Sequence, residues 1–468
     1  MTTPIYYVNA KPHIGHTYTT VAADILARYH KMIGDKTFFL TGTDEHGAKI
    51  SERAEEEGKS PKEFVDNIAD EFKKAWSVMG IEYDNFIRTT DKEHEKAVQR
   101  GMQYMYDKGD IYLGGYEGLY CQGCEQFKNE KDLVDGLCPD HKIAPVLLKE
   151  ESYMFRLSKY QDELLEIIKK DELKISPKEK KNEIISFYEK EGLKDISFSR
   201  KNVAWGIPVP WDPAHTIYVW ADAFLNYLTG IGWDGTGKLA PEMWPAEVEL
   251  MSKDILRVHA TIWPAMLMSL DLALPKELFV HGFFLIDGQK MSKSLGNVIA
   301  PADLVNRYGV DGSRYLLMSA TSFGHDGDIS WKWLDEKFNA DLANGLGNLA
   351  GRVATLLEKN EIELDIAQAE DKKMSEAFNQ AMEKLAFEEA LKVIQDKVRE
   401  SDEFLSQKTP WKIKDQAQVK EVLEPIAKNI IAIAKLIAPF MPNVSKNLIE
   451  QYSQKQIKKQ APLFPRIN

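Results

Sequence analysis

The sequence predicts an α/β protein in which a parallel-sheet domain is split by an insertion and followed by an all-α helical-bundle domain. Three observations support this fold class. Strand, helix and strand patterns follow one another near the start of the chain. Around residues 114–200 the composition becomes turn-rich and cysteine-bearing, after which the α/β pattern returns. From about Asp335 onward only helical spacing remains.

The first pattern predicts a strand at residues 5–8, then a helix, then a second strand at 37–40. The predicted helix has apolar residues three or four positions apart: Val21, Ile25, Tyr29 and Met32. Gly34 favours the end of this helix. A strand–helix–strand unit implies parallel strands, and ligands bind beyond the carboxyl ends of such strands. We therefore expect His13 and Asp44 at a site.

Later segments continue the same organisation. Residues 216–220, 248–251 and 278–286 are typical of buried strands, and a short turn separates the last of them from Lys290. In the final third, helical spacing links five residues: Leu342, Leu346, Leu349, Val353 and Leu356.

Composition narrows the class of protein. The chain has 468 residues, 44% of them hydrophobic, and a formal net charge of -12. It shows neither a membrane segment nor a secretory leader, which predicts a cytoplasmic protein without membrane association. The acidic balance argues weakly against a nucleic-acid partner, because a local basic surface can bind phosphates on an acidic body.

Two motifs are suited to phosphates. His13-Ile14-Gly15-His16 places two imidazoles at the start of a helix, where anions are favoured; the alternative is a pair of ordinary surface histidines. The run from Lys290 to Asn297 carries Lys290 and Lys293 in a loop, where ammonium groups suit pyrophosphate; the alternative is a solvated lysine loop.

The three cysteines of the chain form a separate pattern. Cys121-x-x-Cys124 is followed by Cys138-x-x-His141, which is Cys₃His zinc spacing. Because four protein ligands leave no open position for water, the sequence predicts one structural Zn²⁺. The alternative is a chance cluster of reduced thiols.

Together, the two phosphate motifs resemble those of the class I aminoacyl-tRNA synthetases. Further runs are similar to the methionyl-tRNA synthetase family: Thr3-Pro4-Ile5-Tyr6-Tyr7-Val8-Asn9, Thr43-Asp44-Glu45-His46-Gly47, Tyr218-Val219-Trp220-Ala221-Asp222-Ala223, Trp263-Pro264-Ala265-Met266-Leu267 and Pro462-Leu463-Phe464-Pro465-Arg466-Ile467. The resemblance covers essentially the whole chain.

The resemblance implies five segments: a Rossmann-like catalytic domain in two halves (1–113 and 201–295), a zinc-bearing connective insertion (114–200), a stem-contact segment (296–340) and an α-helical anticodon-binding domain (341–468). It implies an ATP-dependent ligase that forms methionyl-adenylate and loads tRNA(Met), including the initiator. Mg²⁺ would accompany ATP. Because the chain ends at Asn468, we expect a monomer.

The resemblance also implies roles for individual residues. The ATP phosphates would be bound by His13, His16 and Lys293, with Lys290 nearby. Asp254 would bind the ribose, and His281 would lie against the adenine. The methionine site would comprise Ile5, Tyr7, Asp44, Trp220, Tyr227 and His259, with Asp44 binding the amino group. Asn348, Arg352 and Trp411 would read the anticodon. Ordinary core packing is the alternative for the aromatic residues among them.

Two other functions remain open at this point. Another class I aminoacyl-tRNA synthetase would share both phosphate motifs, but the chain lacks a large editing insertion, and its cysteines are clustered rather than spread along the sequence. A non-catalytic tRNA-binding relative would share the scaffold, and the intact His13, His16 and Lys293 argue against it.

Overall fold

The structure is a computed structural model that describes residues 1–123, 126–128, 130–139, 141–201, 203–236, 242–291 and 297–467. The chain divides into two compact units. The first comprises Met1–Lys11, Phe38–Lys74 and Tyr83–Val280. The second comprises Pro12–Thr37, Ala75–Glu82 and His281–Asn468.

A six-stranded sheet forms the centre of the first unit. Its strands are β1 (Thr2–Tyr7), β2 (Leu40–Asp44), β3 (Asn85–Arg88), β7 (Lys174–Ser176), β12 (Glu249–Ser252) and β13 (Glu277–His281). Their order is β3-β2-β1-β12-β13-β7. β1 pairs in parallel with both β2 and β12, and β13 pairs in parallel with β7. The parallel sheet of the predicted fold class is confirmed.

The strand predicted at 37–40 was wrong in position, because β2 begins at Leu40 and continues to Asp44. The apolar pair Phe38-Phe39 suggested a strand, but the hydrogen-bonded ladder starts after it. Thr41 and Thr43 within β2 are completely buried, and the Thr3 hydroxyl donates to the Thr41 hydroxyl at 2.7 Å. Because these buried side chains are polar, β2 lacks the pattern of apolar residues from which a strand is predicted.

The segment 114–200 is built on an antiparallel hairpin. Its strands are β4 (Ile111–Cys121), β5 (Gln126–Lys128), β6 (Val146–Phe155) and β8 (Ile196–Ser197), in the order β5-β4-β6-β8. A smaller antiparallel sheet follows, of β9 (Ser199–Arg200), β10 (Pro208–Val209) and β11 (Asp212–Ile217). β7 also lies within 114–200, yet it belongs to the main sheet beside β13.

The helices of the first unit lie between these strands along the chain. They are α2 (Ala48–Glu56), most of α3 (Pro61–Val78), α4 (Lys92–Asp107), α5 (Gln161–Lys169), α6 (Lys178–Lys190), α7 (Val219–Phe224), α8 (Asn226–Thr229), α9 (Leu256–His259) and α10 (Ile262–Ser269). The strand predicted at 216–220 was wrong at its end. β11 stops at Ile217, and Trp220 lies in the first turn of α7.

The second unit is mainly helical. Its helices are α1 (Ile14–Ile33), α11 (Pro301–Ser319), α12 (Trp331–Lys337), α13 (Gly347–Lys359), α14 (Lys372–Met382), α15 (Phe387–Lys408), α16 (Gln416–Leu436) and α17 (Pro442–Tyr452), with a π-helical segment at Phe338–Leu346. α1 ends at Gly34, whose φ of 96° needs glycine, as predicted. The predicted helical C-terminal region is confirmed.

A three-stranded sheet accompanies these helices, formed by β14 (Phe284–Ile286), β15 (Gln289–Lys290) and β16 (Gly327–Ile329). The strand predicted at 278–286 is therefore interrupted at Gly282. A Cβ atom there would lie 2.1 Å from the carbonyl oxygen of His325, so two backbones approach too closely for any side chain. Among the described residues, no helix is both long and apolar enough to cross a bilayer.

Candidate active site

The two histidines of the first motif cap α1 reciprocally. The backbone N–H of Gly15 donates to Nδ1 of His13 at 3.1 Å, and that of His13 donates to Nδ1 of His16 at 3.3 Å. The two rings stack with centroids 4.0 Å apart. A Cβ atom on Gly15 would lie 2.8 Å from Cε1 of His13, so this position favours glycine.

These contacts fix the protons of both imidazoles. A nitrogen that accepts a hydrogen bond carries no proton, so each neutral ring has its proton on Nε2. Burial, with a further contribution from neighbouring His13, holds the pKa of His16 well below 6.5. His16 is therefore a neutral Nε2–H donor at physiological pH, which suits a phosphate oxygen.

The lysine loop follows a tight hairpin. Asp287 and Gly288 have φ of 50° and 74° and join β14 to β15 as a two-residue turn with both residues in the left-handed region. The Gly288 N–H donates to Asp328 Oδ1 at 2.9 Å, which fixes the hairpin to the neighbouring strand β16. Lys293 lies outside the described residues, as does the side chain of Lys290.

Residues at the two ends of this loop lie close to the start of α1. Ile14 donates its N–H to the carbonyl of Ile299 at 3.1 Å, and Cε of Met291 lies 3.6 Å from the position of a Cβ on Gly15. The structure thus brings described residues at the two ends of the lysine loop close to the start of α1 within the second unit.

The two predicted nucleotide residues differ in environment. Asp254 is exposed in the turn after β12, and Ser252 donates its hydroxyl to Asp254 Oδ1. His281, by contrast, is 2% exposed; its Nε2 lies 2.6 Å from the Thr19 hydroxyl of α1, and its ring stacks on Phe323.

Asp44 and Tyr7 lie side by side at the carboxyl ends of β2 and β1. They are register partners in the parallel ladder, and the N–H of Val8 donates to the Asp44 carbonyl at 3.1 Å. Ile5, two positions earlier on β1, is partnered by Gly42. The predicted amino-group ligand therefore sits at the expected edge of the sheet, beside an aromatic ring.

A second group of residues from the predicted methionine-binding site forms an uncharged aromatic cluster. The Nδ1 of His259 faces the Ile255 carbonyl at 2.9 Å, and its Nε2 lies 2.9 Å from the Tyr227 hydroxyl. Burial lowers the pKa of His259 to about 4 and raises that of Tyr227 well above 10. Hence Nδ1 carries the proton, and Nε2 accepts from the tyrosine. The Trp220 ring meets His259 edge-on at 6.3 Å.

Three of the four predicted metal ligands also converge. The ligand atoms of Cys121, Cys138 and His141 lie within 4.8 Å of one another, and both thiols are completely buried. Cys124 lies outside the described residues. A Cβ atom on Gly123 would lie 2.4 Å from Cγ of His141, so glycine allows the imidazole to approach the knuckle. Two thiols and an imidazole form a donor set that suits zinc.

The three predicted anticodon residues line one cavity of about 530 Å³ in the second unit. Asn348 and Arg352 belong to α13, and Trp411 lies in a single 3₁₀ turn at Pro410–Lys412. The guanidinium of Arg352 lies 5.7 Å from the centre of the Trp411 ring and donates to Asp402 at 2.6 Å. The indole is 47% exposed, so it is not packed into the helical core.

Comparisons with known proteins decide the family. Residues 1–146 and 140–354 match the family described as tRNA synthetases class I (M). The chain is 46% identical to the methionine–tRNA ligase of Caldanaerobacter subterraneus over 96% of its own length and 73% of that protein. The chain belongs to the methionyl-tRNA synthetase family. A further relative, the Streptomyces coelicolor methionine–tRNA ligase, is 41% identical over 96% of this chain and 88% of that protein.

The solved structures agree with this assignment. Mycobacterium tuberculosis methionyl-tRNA synthetase in complex with methionyl-adenylate superposes with a TM-score of 0.92 and 34% identity, covering 99% of both chains. The predicted family, fold class and ligase class are confirmed.

Sequence reasoning gave no role to three residues whose side chains lie together in the structure of this chain. His46 and Asp222 were quoted within matching motifs, and His94 was not considered. Their side chains are hydrogen-bonded to one another in the first unit. The sequence did offer one signal. His46 and Asp222 each follow, by two positions, a residue of the predicted methionine-binding site.

Proposed function

We propose that the chain activates L-methionine with ATP to form methionyl-adenylate and pyrophosphate, and then transfers the methionyl group to the terminal ribose of tRNA(Met). The full-length similarity to a synthetase that holds methionyl-adenylate carries this proposal. The methionine carboxylate attacks the α-phosphorus of ATP and pyrophosphate leaves. A ribose hydroxyl of the tRNA then attacks the activated carbonyl and releases AMP. Catalysis rests on positioning and charge stabilisation.

Each step uses residues that the sequence singled out. His13 and His16 donate their Nε2 protons to phosphate oxygens, and Lys293, with Lys290, neutralises the pyrophosphate. Asp254 accepts from the ribose, and His281 supports the adenine. Mg²⁺ accompanies ATP.

For methionine, Asp44 pairs with the ammonium group. The thioether lies against an apolar and aromatic wall of Ile5, Tyr7, Trp220, Tyr227 and His259. The neutral state of the His259–Tyr227 pair supports this role, because a charged wall would have to lose its hydration to contact a thioether, whereas neutral aromatic rings attract its polarizable sulfur.

Zinc is proposed as the resident metal, held by Cys121, Cys124, Cys138 and His141. It stabilises the fold of the insertion and supplies no catalytic chemistry. The exposed Trp411 ring, with Arg352 and Asn348 beside it, suits an unpaired base of the tRNA anticodon, including that of the initiator. We place the protein in the cytoplasm, where translation uses charged tRNA.

Methionine-dependent exchange of labelled pyrophosphate into ATP tests this function. Exchange with methionine and not with isoleucine, valine, leucine or cysteine is the expected result. Exchange that depends on another amino acid would make the chain a different class I synthetase. A complete lack of exchange would leave a non-catalytic relative.

A further inference from the structure

The first unit contains a buried carboxylate held between two imidazoles. Asp222 on α7 is 1% exposed. Its Oδ2 lies 2.7 Å from Nδ1 of His46, and its Oδ1 lies 2.8 Å from Nε2 of His94. On the far side of His94, Nδ1 lies 2.7 Å from the Thr229 hydroxyl. These residues form the His46–Asp222–His94 cluster.

The cluster connects two parts of the proposed methionine site. His46 follows Asp44 by two positions, in the loop after β2, and Asp222 follows Trp220 by two positions on α7. Two residues of chain span at most about 7 Å. The backbone of His46 therefore lies within that distance of the backbone of Asp44, and that of Asp222 within the same distance of Trp220. His94, on α4, holds the second oxygen of Asp222 and so fixes the orientation of the carboxylate.

Several charged or titratable groups face His46. Asp222 contacts it from α7, Glu95 of α4 lies 3.8 Å from its Nε2, and Glu45 precedes it in the chain. The uncharged Trp205 ring meets it edge-on, with ring centres 5.6 Å apart. Burial would lower the pKa of His46, but the charge and hydrogen bond of Asp222, together with the charges of Glu95 and Glu45, more than offset this effect and raise it. The imidazoles of His46 and His94 hold the pKa of Asp222 below its usual range, although its complete burial would raise it.

We propose that Asp222 is a positioning residue that fixes Asp44 and Trp220 for methionine through His46 and His94, so that the cluster sets the affinity for methionine and leaves that for ATP unchanged. This inference rests on the proposed function of Asp44 and Trp220. Asp222 acts through its neighbours and does not touch the reacting atoms. Its contribution depends on charge, because an ion pair resists rotation of the loop more strongly than a neutral hydrogen bond does.

The substitution Asp222→Asn tests this inference with little change in shape. An amide can accept from one imidazole and donate to the other, so both hydrogen bonds survive while the charge is lost. In pyrophosphate exchange, the KM for methionine should rise about tenfold or more, because residues that share one hydrogen-bond network are energetically coupled. The KM for ATP should stay within about twofold. His215→Asn is the matched control. His215 is also buried, contacts Ser199 at 3.0 Å and lies 3.8 Å from Asp212.

The pH dependence gives a second readout that a purely structural role would not move. The His46 pKa is raised, so the charged pair is complete at lower pH and is lost as pH rises through that pKa. The wild-type KM for methionine should therefore increase on the alkaline side, and Asp222→Asn should lack this increase. His46→Asn keeps a donor at the position of Nδ1 and should also lose the pH dependence, with a smaller rise in KM than His46→Ala.

The outcomes separate this inference from the proposed function. A wild-type protein without methionine-dependent exchange contradicts the proposed function and, with it, this inference. An active wild type together with an unchanged KM for methionine in Asp222→Asn contradicts the positioning role alone. A parallel rise of both KM values also contradicts it. Should Asp222→Asn fail to fold, the comparison of His46→Asn with His46→Ala decides in the same way.

Discussion

Arg314 and Asp24 form an ion pair in which both side chains are completely buried, with Nη2 and Oδ2 2.5 Å apart. The same guanidinium donates to the carbonyls of Phe440 and Pro439 at 2.9 Å. Because Asp24 lies on α1, the helix that is capped by His13 and His16 is tied to α11 and to the turn before α17.

Arg314→Met should therefore destabilise the second unit strongly. Loss of the guanidinium leaves Asp24 and two carbonyls buried with fewer partners, which costs about 3 kcal/mol. Urea unfolding followed by tryptophan fluorescence measures the shift. Arg307→Met is the matched control, since Arg307 pairs with Asp335 at the surface and should shift the midpoint far less. Equal shifts in both variants would rule out a special role for the buried pair.

His16→Ala should slow adenylate formation by about 10² to 10³-fold while methionine affinity changes little. The physical reason is the loss of a neutral Nε2–H donor at the phosphates. His16→Gln, which places an N–H near the same point, should recover part of the rate. Stopped-flow measurement of adenylate formation gives both values. His30→Ala, at the other end of α1, is the control and should react normally; a normal rate in His16→Ala would remove His16 from the phosphate site.

The low pKa of His16 also predicts the shape of the rate profile. The group stays neutral from well below pH 6.5 upward, so its titration should add no inflection at the usual histidine pKa. An acidic limb centred near 6.5 that disappears in His16→Gln would show that His16 is charged in that range, contrary to the burial found here.

Metal analysis of the purified protein should give one zinc ion per chain. Cys138→Ser should lose the metal and loosen the insertion while most of the main sheet stays folded, because structural zinc contributes directly to local folding. Charging of tRNA should fall more than pyrophosphate exchange. A content of zero or two ions in the wild type would rule out a single structural zinc site.

Trp411→Ala should reduce tRNA charging by roughly ten- to a hundredfold, since stacking of one base on an aromatic ring contributes about 1 to 3 kcal/mol. Trp411→Phe retains a ring and should lose much less. Exchange without tRNA should be unaffected in both variants. Normal charging by Trp411→Ala, or an equal loss of exchange, would exclude this residue from anticodon recognition.

The sequence predicted the parts of the fold that depend on local patterns. The strand–helix–strand start and the glycine at the end of α1 follow from helical periodicity and from the need for a positive φ at Gly34. The strand predicted at 37–40 failed because the ladder runs through buried Thr41 and Thr43. Trp220 was placed on a strand because a β-rich run continues across the point where β11 gives way to α7.

Candidate site residues were predictable where a motif is contiguous, as in His13 to His16 or in the paired knuckles of the proposed metal site. Contacts between distant segments were not. His46 and Asp222 are separated by 176 positions, and no local pattern indicates that they meet. The capping geometry that fixes the tautomers of His13 and His16 likewise requires coordinates.

Formation of methionyl-adenylate by this chain can be measured by ATP–pyrophosphate exchange with each of the twenty amino acids in parallel. We expect strong exchange with methionine and weak exchange with close isosteres, because an apolar pocket discriminates between such side chains by only about 1 to 3 kcal/mol. Exchange that is stronger with another amino acid, or absent with all twenty, would contradict this expectation.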